Sequence, residues 1–249
     1  MQSDAIPLHR LYGDLAWLWP LMSPPAEYVA EAAHWKAALR ENLGPGRRCL
    51  LELGVGGGHN LSHLTGEFDA VAVDLSEPML AHSRRLNPGV EHFLGDMRTV
   101  RLGRTFDAVV IHDAIAYMLS GDDLRAAFAT AAAHLGTGGV FVTSPDYVAE
   151  TFVDGSIACE TRPFDGGSFT YVEYQWDPDP SDTQTETVFT YIIRRGGKVQ
   201  IEQDRHLFGL FPLRTWESLM AQAGFAVARR DYPVRDDGQP GWLLIGRKL

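Results

Sequence analysis

The sequence predicts an α/β protein: a doubly wound, mostly parallel sheet of seven strands, with an N-terminal helical cap and an antiparallel β insertion after the fifth core strand. Three observations predict it. Between Arg47 and Ser144 short apolar runs alternate with longer amphipathic ones, the pattern of a parallel sheet covered on both faces. The first apolar run leads into alternating glycines, Gly54, Gly56 and Gly58, where a chain leaves a buried strand, turns sharply and enters a helix. Acidic or polar residues then close each of the next strands, and in doubly wound sheets ligands lie beyond those strand ends.

Taken in order, residues 1–46 form the cap. Its aromatic stretch Leu15 to Met22, with Trp17 and Trp19, is broken by Pro20 and followed by Ser23-Pro24-Pro25, which suits a lid or core segment. A helix is expected from Glu27 to Asn42, stopped by Gly44-Pro45-Gly46. The core occupies 47–145 and 212–249. Its first part carries strands near 48–53, 69–73, 90–93, 106–111 and 139–144, with helices near 58–66, 77–86 and 121–135. Asp122-Asp123 reads as the start of the last helix and Gly136 as its stop. Residues 146–211 are rich in Thr, Tyr, Val, Ile and Phe and read as antiparallel strands at 169–176, 186–195 and 198–208, the last two joined through Gly196-Gly197. A helix from Leu213 to Ala223, ended by Gly224, and strands near 225–232 and 242–247 complete the core. The insertion is expected to cover a substrate or to form a dimer surface.

Composition sets outer bounds. With 249 residues, 45% of them hydrophobic, the chain can bury one full core, and one elaborated domain is expected. A formal charge of −10 argues against a nucleic-acid partner, which needs clustered Lys and Arg. No apolar run approaches the roughly 20 residues of a membrane span, and no leader pattern opens the chain. Cys49 and Cys159 offer no disulfide framework, so a reducing cytoplasm is the expected compartment. His59 and His63 stand four apart without a third ligand, so no metal is expected.

The strand ends carry the chemistry. Glu52 stands two residues before the first glycine, where a carboxylate opposes a pyrophosphate and suits the ammonium of a methionine moiety. A dinucleotide fingerprint would place a third glycine where His59 stands, which disfavours an NAD-type oxidoreductase. Asp74, about twenty residues on, is placed for both ribose hydroxyls. Asp96 ends the next strand, where it suits an adenine amino group, and His112-Asp113 ends the fourth. Together these point to S-adenosylmethionine. A noncatalytic module binding the same cofactor remains an alternative.

From about Arg48 to Phe152 the chain resembles the class I S-adenosylmethionine-dependent methyltransferases, whose fold is Rossmann-like. Glu52 with Gly54, Gly56 and Gly58 looks like their first motif, Val73-Asp74-Leu75 through Met79-Leu80 their ribose motif, Gly95-Asp96-Met97 their adenine motif, Phe106-Asp107-Ala108-Val109 their fourth strand, and His134 to Gly139 their loop before strand five. The resemblance implies that Glu52 and the glycines hold the methionine end, Asp74 and Leu75 lie at the ribose, Asp96 and the Met97 backbone at the adenine, and Met79 beside the nucleoside. More narrowly, Leu11-Tyr12-Gly13-Asp14, Glu27-Tyr28-Val29, Leu210-Phe211-Pro212-Leu213 and Ala223-Gly224-Phe225 are similar to small-molecule N-methyltransferases of antibiotic deoxyaminosugar pathways. That likeness implies an amine acceptor, with a hydroxyl acceptor as the alternative, and brings Tyr12 near the methionine part of the cofactor. The chain departs from that group at Tyr117, where those enzymes tend to carry histidine near the amine. Tyr117, His206 and Asp113 are therefore the candidates for handling the acceptor and its proton, with Asp113 suited to orientation, since an ordinary aspartate has a pKa near 3.9.

Overall fold

Leu50, Leu51, Leu53, Val73, Val109, Val110, Ile111, Val140, Phe141 and Val142 are all fully or almost fully buried, so consecutive residues of each run, facing opposite ways, are both covered. The computed structural model describes residues 6–232 and 241–249; the first five residues of the expected cap and 233–240 of the expected core lie outside it. The cap holds short helical turns, among them α1 (Trp19–Met22), and then α2 (Val29–Leu43), which ends at Gly44. The core continues with β1 (Arg48–Leu53), α3 (His59–Ser62), β2 (Phe68–Asp74), α4 (Glu77–Leu86), β3 (Glu91–Leu94), β4 (Phe106–Ile111), α5 (Gly121–Ala133) and β5 (Leu135–Thr143). Then come β6 (Ser156–Phe164), β7 (Gly167–Trp176), β8 (Gln184–Arg195) and β9 (Lys198–Gly209), followed by α6 (Leu213–Gln222), β10 (Phe225–Asp231) and β11 (Trp242–Lys248).

The seven-stranded sheet runs β10-β11-β5-β4-β1-β2-β3, and only β11 opposes its neighbours. Strand order reverses between β1 and β4, so the crevice beyond their carboxyl ends is where such a sheet takes its ligand. One face is covered by α5 and α6 through Phe128, Trp216 and Met220, the other by α2, α3 and α4 through Trp35, Leu39, Leu61 and Leu80. The fold class matches the reading of the sequence, with local differences. The helix expected at 58–66 is only His59–Ser62, because Ser62 and Thr65 hydroxyls donate to the carbonyls of His59 and Ser62 and the following turns tighten to i→i−3 bonds at His63 and Leu64. The cap of α5 is Ser120, whose hydroxyl accepts from Asp123 N and donates to the Asp123 carboxylate. Gly136, expected to stop that helix, already lies in β5.

The insertion is a separate sheet, β6-β7-β8-β9, one strand larger than expected. The additional strand β6 is exposed along most of its length and contains Pro163, which an edge strand tolerates. Leu11, Leu15 and Leu18 of the cap pack on Phe169, Phe189, Tyr191 and Ile193 of this sheet, and the Leu8–Arg205 bridge ties the two along β9. On the other side of the cap, Trp35 is fully buried and donates to the Tyr232 hydroxyl at 3.0 Å. Trp35→Phe is expected to lower stability by about 2 kcal/mol, from the smaller ring and the lost bond, read by urea unfolding.

Candidate functional site

At the sheet's switch point the cap, the core strand ends and β9 enclose a cavity of about 780 Å³. Its lining brings together Glu52, Gly54, Gly56, Asp74, Leu75, Met79, Asp96, Met97, His112 and Asp113 from the core, Tyr12 from the cap, Tyr117 after β4 and His206 from β9. Gly58 stands behind the wall. A Cβ there would meet Ser83 Oγ at 2.3 Å and Asn87 Nδ2 at 2.4 Å, so this glycine lets the loop close onto α4. Gly54, at φ +74°, lets the chain pass Ala114, whose Cβ a side chain would strike at 2.3 Å.

The loop is held from below. Gly54 N and Val55 N both donate to the Val73 carbonyl, and Gly56 N donates to Asp74 Oδ2 at 2.7 Å. Asp74 Oδ1 accepts from Ser76 N at 2.8 Å, and the Ser76 hydroxyl donates to the Tyr12 carbonyl, so cap, loop and β2 end are one bonded unit. Burial raises the Asp74 pKa in spite of these amide donors. Asp96 accepts from Arg98 N at 2.8 Å and from its guanidinium at 2.7 Å, which keeps its pKa below the ordinary value; Arg98 in turn reaches Asp123 at 2.8 Å. Arg98 also lines the cavity.

His112 spends both ring nitrogens on carboxylates, Nε2 on Glu31 and Nδ1 on Asp113, each at 3.2 Å. Burial alone would lower its pKa, but the carboxylates of Asp113 and Glu31 outweigh that and hold the ring protonated well above its usual range. It therefore acts on the site through its charge, and Asp113 through its pairing with that charge. Glu52 is 2% exposed, and burial pushes it up to about 8, with His112 drawing it partly back.

Among the described residues, three polar groups of the lining are buried without a protein partner: Glu52 Oε2, Trp19 Nε1 and both amide atoms of Asn60. A buried polar atom left this way carries a desolvation cost unless a ligand meets it. One carboxylate acceptor beside an indole and an amide donor is the complement of an amino-acid zwitterion. Deeper in, the hydroxyls of Tyr12 and Tyr117 lie 2.7 Å apart, Tyr117 Oη is 2.7 Å from His206 Nδ1, and His206 Nε2 is 2.8 Å from Asp204 Oδ2. His59 and His63, four apart in sequence, instead fasten the cap through the carbonyls of Ser23 and Pro25, and among the described residues no group of three His, Cys, Asp or Glu is placed to hold a metal ion.

Trp19, Asn60 and Asp204 belong to no motif read in the sequence. Asp204 did leave a signal: with His206 it shares one face of a strand, where alternation places both inward, and both are buried. Nothing comparable marks Trp19 or Asn60.

A family profile described as a methyltransferase domain matches residues 50–139. The chain is 36% identical over 203 residues to the dTDP-3-amino-3,4,6-trideoxy-alpha-D-glucopyranose N,N-dimethyltransferase of Streptomyces venezuelae, covering 81% of this chain and 84% of that one. It is 30% identical to the dTDP-3-amino-3,6-dideoxy-alpha-D-glucopyranose N,N-dimethyltransferase of Streptomyces fradiae, covering 86% and 85%. Among solved structures, DesVI of Streptomyces venezuelae superposes with a TM-score of 0.80 at 31% identity over 95% of this chain and 96% of that one. An S-adenosylmethionine-bound amino pentose methyltransferase from Micromonospora echinaspora gives 0.76 at 27% identity, covering 89% and 92%. Sequence, fold and cavity agree: the chain belongs to the class I S-adenosylmethionine-dependent methyltransferases, in their group of aminosugar N-methyltransferases.

Proposed function

We propose that this methyltransferase acts on the amine nitrogen of a small aminosugar. The supporting observation is the reactive end of the cavity, where the hydroxyls of Tyr12 and Tyr117 and the Asp113 carboxylate supply acceptors suited to an N–H donor. The named substrates of the Streptomyces relatives are aminosugars of this kind.

The buried unpartnered groups fit the cofactor. S-adenosylmethionine, when bound, supplies an electrophilic methyl group on a sulfonium. Glu52 would accept from its ammonium, Trp19 Nε1 and the Asn60 amide would donate to its carboxylate, and the acceptor-rich Asp74 would receive the ribose hydroxyls with Leu75 alongside. Asp96 and the Met97 backbone would take the adenine, with Met79 beside the nucleoside. The protein's contribution is to line up the amine, exclude water and receive a proton. Of the two roles open to the insertion, substrate cover is favoured, since Phe189, His206 and Phe208 line the cavity. The exposed edge strand β6 is the surface left for pairing with a second copy of the chain. Among the described residues no helix is long and apolar enough to cross a membrane, in keeping with a small acceptor met in water.

Incubation with S-adenosylmethionine and dTDP-3-amino-3,4,6-trideoxy-α-D-glucopyranose is expected to give the N-methylated sugar by mass spectrometry. The analogue with a hydroxyl in place of the amine is expected to stay unmodified. Methylation of that hydroxyl, with the amine untouched, would move the acceptor from nitrogen to oxygen.

A further inference from the structure

We propose that Tyr12, Tyr117 and His206 form a proton relay that draws the proton from the methylated amine into the protein, with Asp204 as the positioning residue that sets its direction. The proposal rests on the amine reading above. Its geometry is an unbroken chain of short hydrogen bonds, 2.7, 2.7 and 2.8 Å, from a cavity hydroxyl to a carboxylate that is 0% exposed.

The direction follows from Asp204. Its Oδ1 accepts from Arg10 N at 2.8 Å and its Oδ2 from Leu11 N at 2.6 Å, so two cap amides present hydrogens to it, and His206 Nε2 lies 2.8 Å from Oδ2. Burial works against ionisation there, but the bond to His206, the charge that ring carries when protonated, and the two amides outweigh it and the pKa is lowered. An ionised carboxylate only accepts, so His206 Nε2 carries a hydrogen, and in the neutral ring Nδ1 presents a lone pair. Tyr117 must then donate to Nδ1 and Tyr12 to Tyr117. Every hydrogen points inward, and the Tyr12 oxygen is left with lone pairs for the cavity it lines. A chain built only to satisfy buried groups has no need of this polarity at its open end.

The groups facing the relay are few. His206 meets Thr187 and Phe189 of β8, neither of which titrates, together with the rings of His9, Tyr12 and Tyr117. Tyr12 feels the charges of Asp113, Asp74 and Asp146, and Tyr117 those of Asp146 and Asp204. Burial raises the pKa of both phenols, so neither ionises on its own and each passes a proton only by taking another. In the balanced step the amine lone pair forms the N–C bond while the S–C pair leaves with sulfur. The resulting ammonium gives its proton to Tyr12 Oη, Tyr12 gives its own to Tyr117 Oη, and Tyr117 gives its own to His206 Nδ1. The product is a neutral amine and an imidazolium beside Asp204. The amine is then ready for a second methyl, and the proton returns to solvent as the product leaves.

The test pairs 15N-histidine NMR of the resting enzyme with kinetics on dTDP-3-amino-3,4,6-trideoxy-α-D-glucopyranose. His206, assigned by its loss in His206→Gln, is expected to carry its hydrogen on Nε2. Tyr117→Phe is expected to keep S-adenosylmethionine affinity within about twofold and lower kcat at pH 7 at least roughly tenfold. That deficit should close as pH rises and hydroxide takes the proton instead. Asp204→Asn, if it folds, should lose the Nε2 preference. A hydrogen on Nδ1 in the resting enzyme, an unchanged kcat in Tyr117→Phe, or a deficit equal at every pH would overturn the relay. If the wild-type enzyme leaves the sugar unmethylated, the acceptor reading fails separately, and the NMR tautomer alone decides the relay.

Discussion

Glu52→Gln is expected to stabilise the cofactor-free protein at neutral and alkaline pH while weakening S-adenosylmethionine binding roughly 100-fold or more. The two effects have one cause. Burial holds the Glu52 pKa at about 8 against an ordinary value of 4.5, although the charge on His112 pulls it back in part. The unfolded chain releases that proton near 4.5 and the folded chain keeps it until about 8. Stability supplied by this group is therefore complete below 4.5 and falls as pH rises toward 8, by about 1.4 kcal/mol per pH unit at most. Glutamine does not titrate, so the variant's advantage should widen from pH 5 to pH 8 and then level off, as read from urea unfolding at the two pH values. Among the described residues the same carboxylate is the one acidic group of the cavity lining with a buried, unpartnered oxygen. On the proposed assignment, removing its charge leaves the cofactor's ammonium without its carboxylate partner.

Asp74→Ala is expected to abolish measurable cofactor binding, a loss of roughly 100-fold or more, and to lower stability by about 2 kcal/mol. On the proposed assignment its oxygens serve the ribose as well as the loop: Gly56 N and Ser76 N lose their acceptor when the carboxylate goes. Asp74→Asn keeps one of those acceptors and should fall between wild type and alanine in both calorimetry and thermal melting. Equal behaviour of the two variants would mean that the carboxylate acts through its charge and that loop bonding counts for little.

Much of this site is legible from local pattern. Apolar runs with covered faces mark the core strands, and the interval from Glu52 through the glycines to Asp74 is a property of one β-turn-α-β unit. For the same reason Ser76, Glu77 and Pro78 announce α4 at its true first turn. What pattern does not reach is contact made across the chain. Asp204 meets Leu11 N, 193 residues away, and only the packing of cap against insertion brings the relay together. Trp19 reads as an aromatic of a lid or core segment; its indole N–H becomes a candidate donor because Gly57 admits its ring, with a Cβ there 2.6 Å from Trp19 Cδ1. The strand β6 is missed because an exposed edge carries neither an alternating nor a buried pattern.

On the proposed assignment a buried carboxyl group at the end of β1 exchanges its proton for the cofactor's ammonium. Isothermal calorimetry of S-adenosylmethionine binding at pH 7, repeated in buffers of different ionisation enthalpy, counts that proton directly. With Glu52 titrating at about 8 and the cofactor's amino group near its ordinary value, wild type should release roughly 0.8 of a proton per site, and Glu52→Gln should bind weakly and release none. Tight binding by Glu52→Gln, or wild-type binding with no proton released, would contradict it.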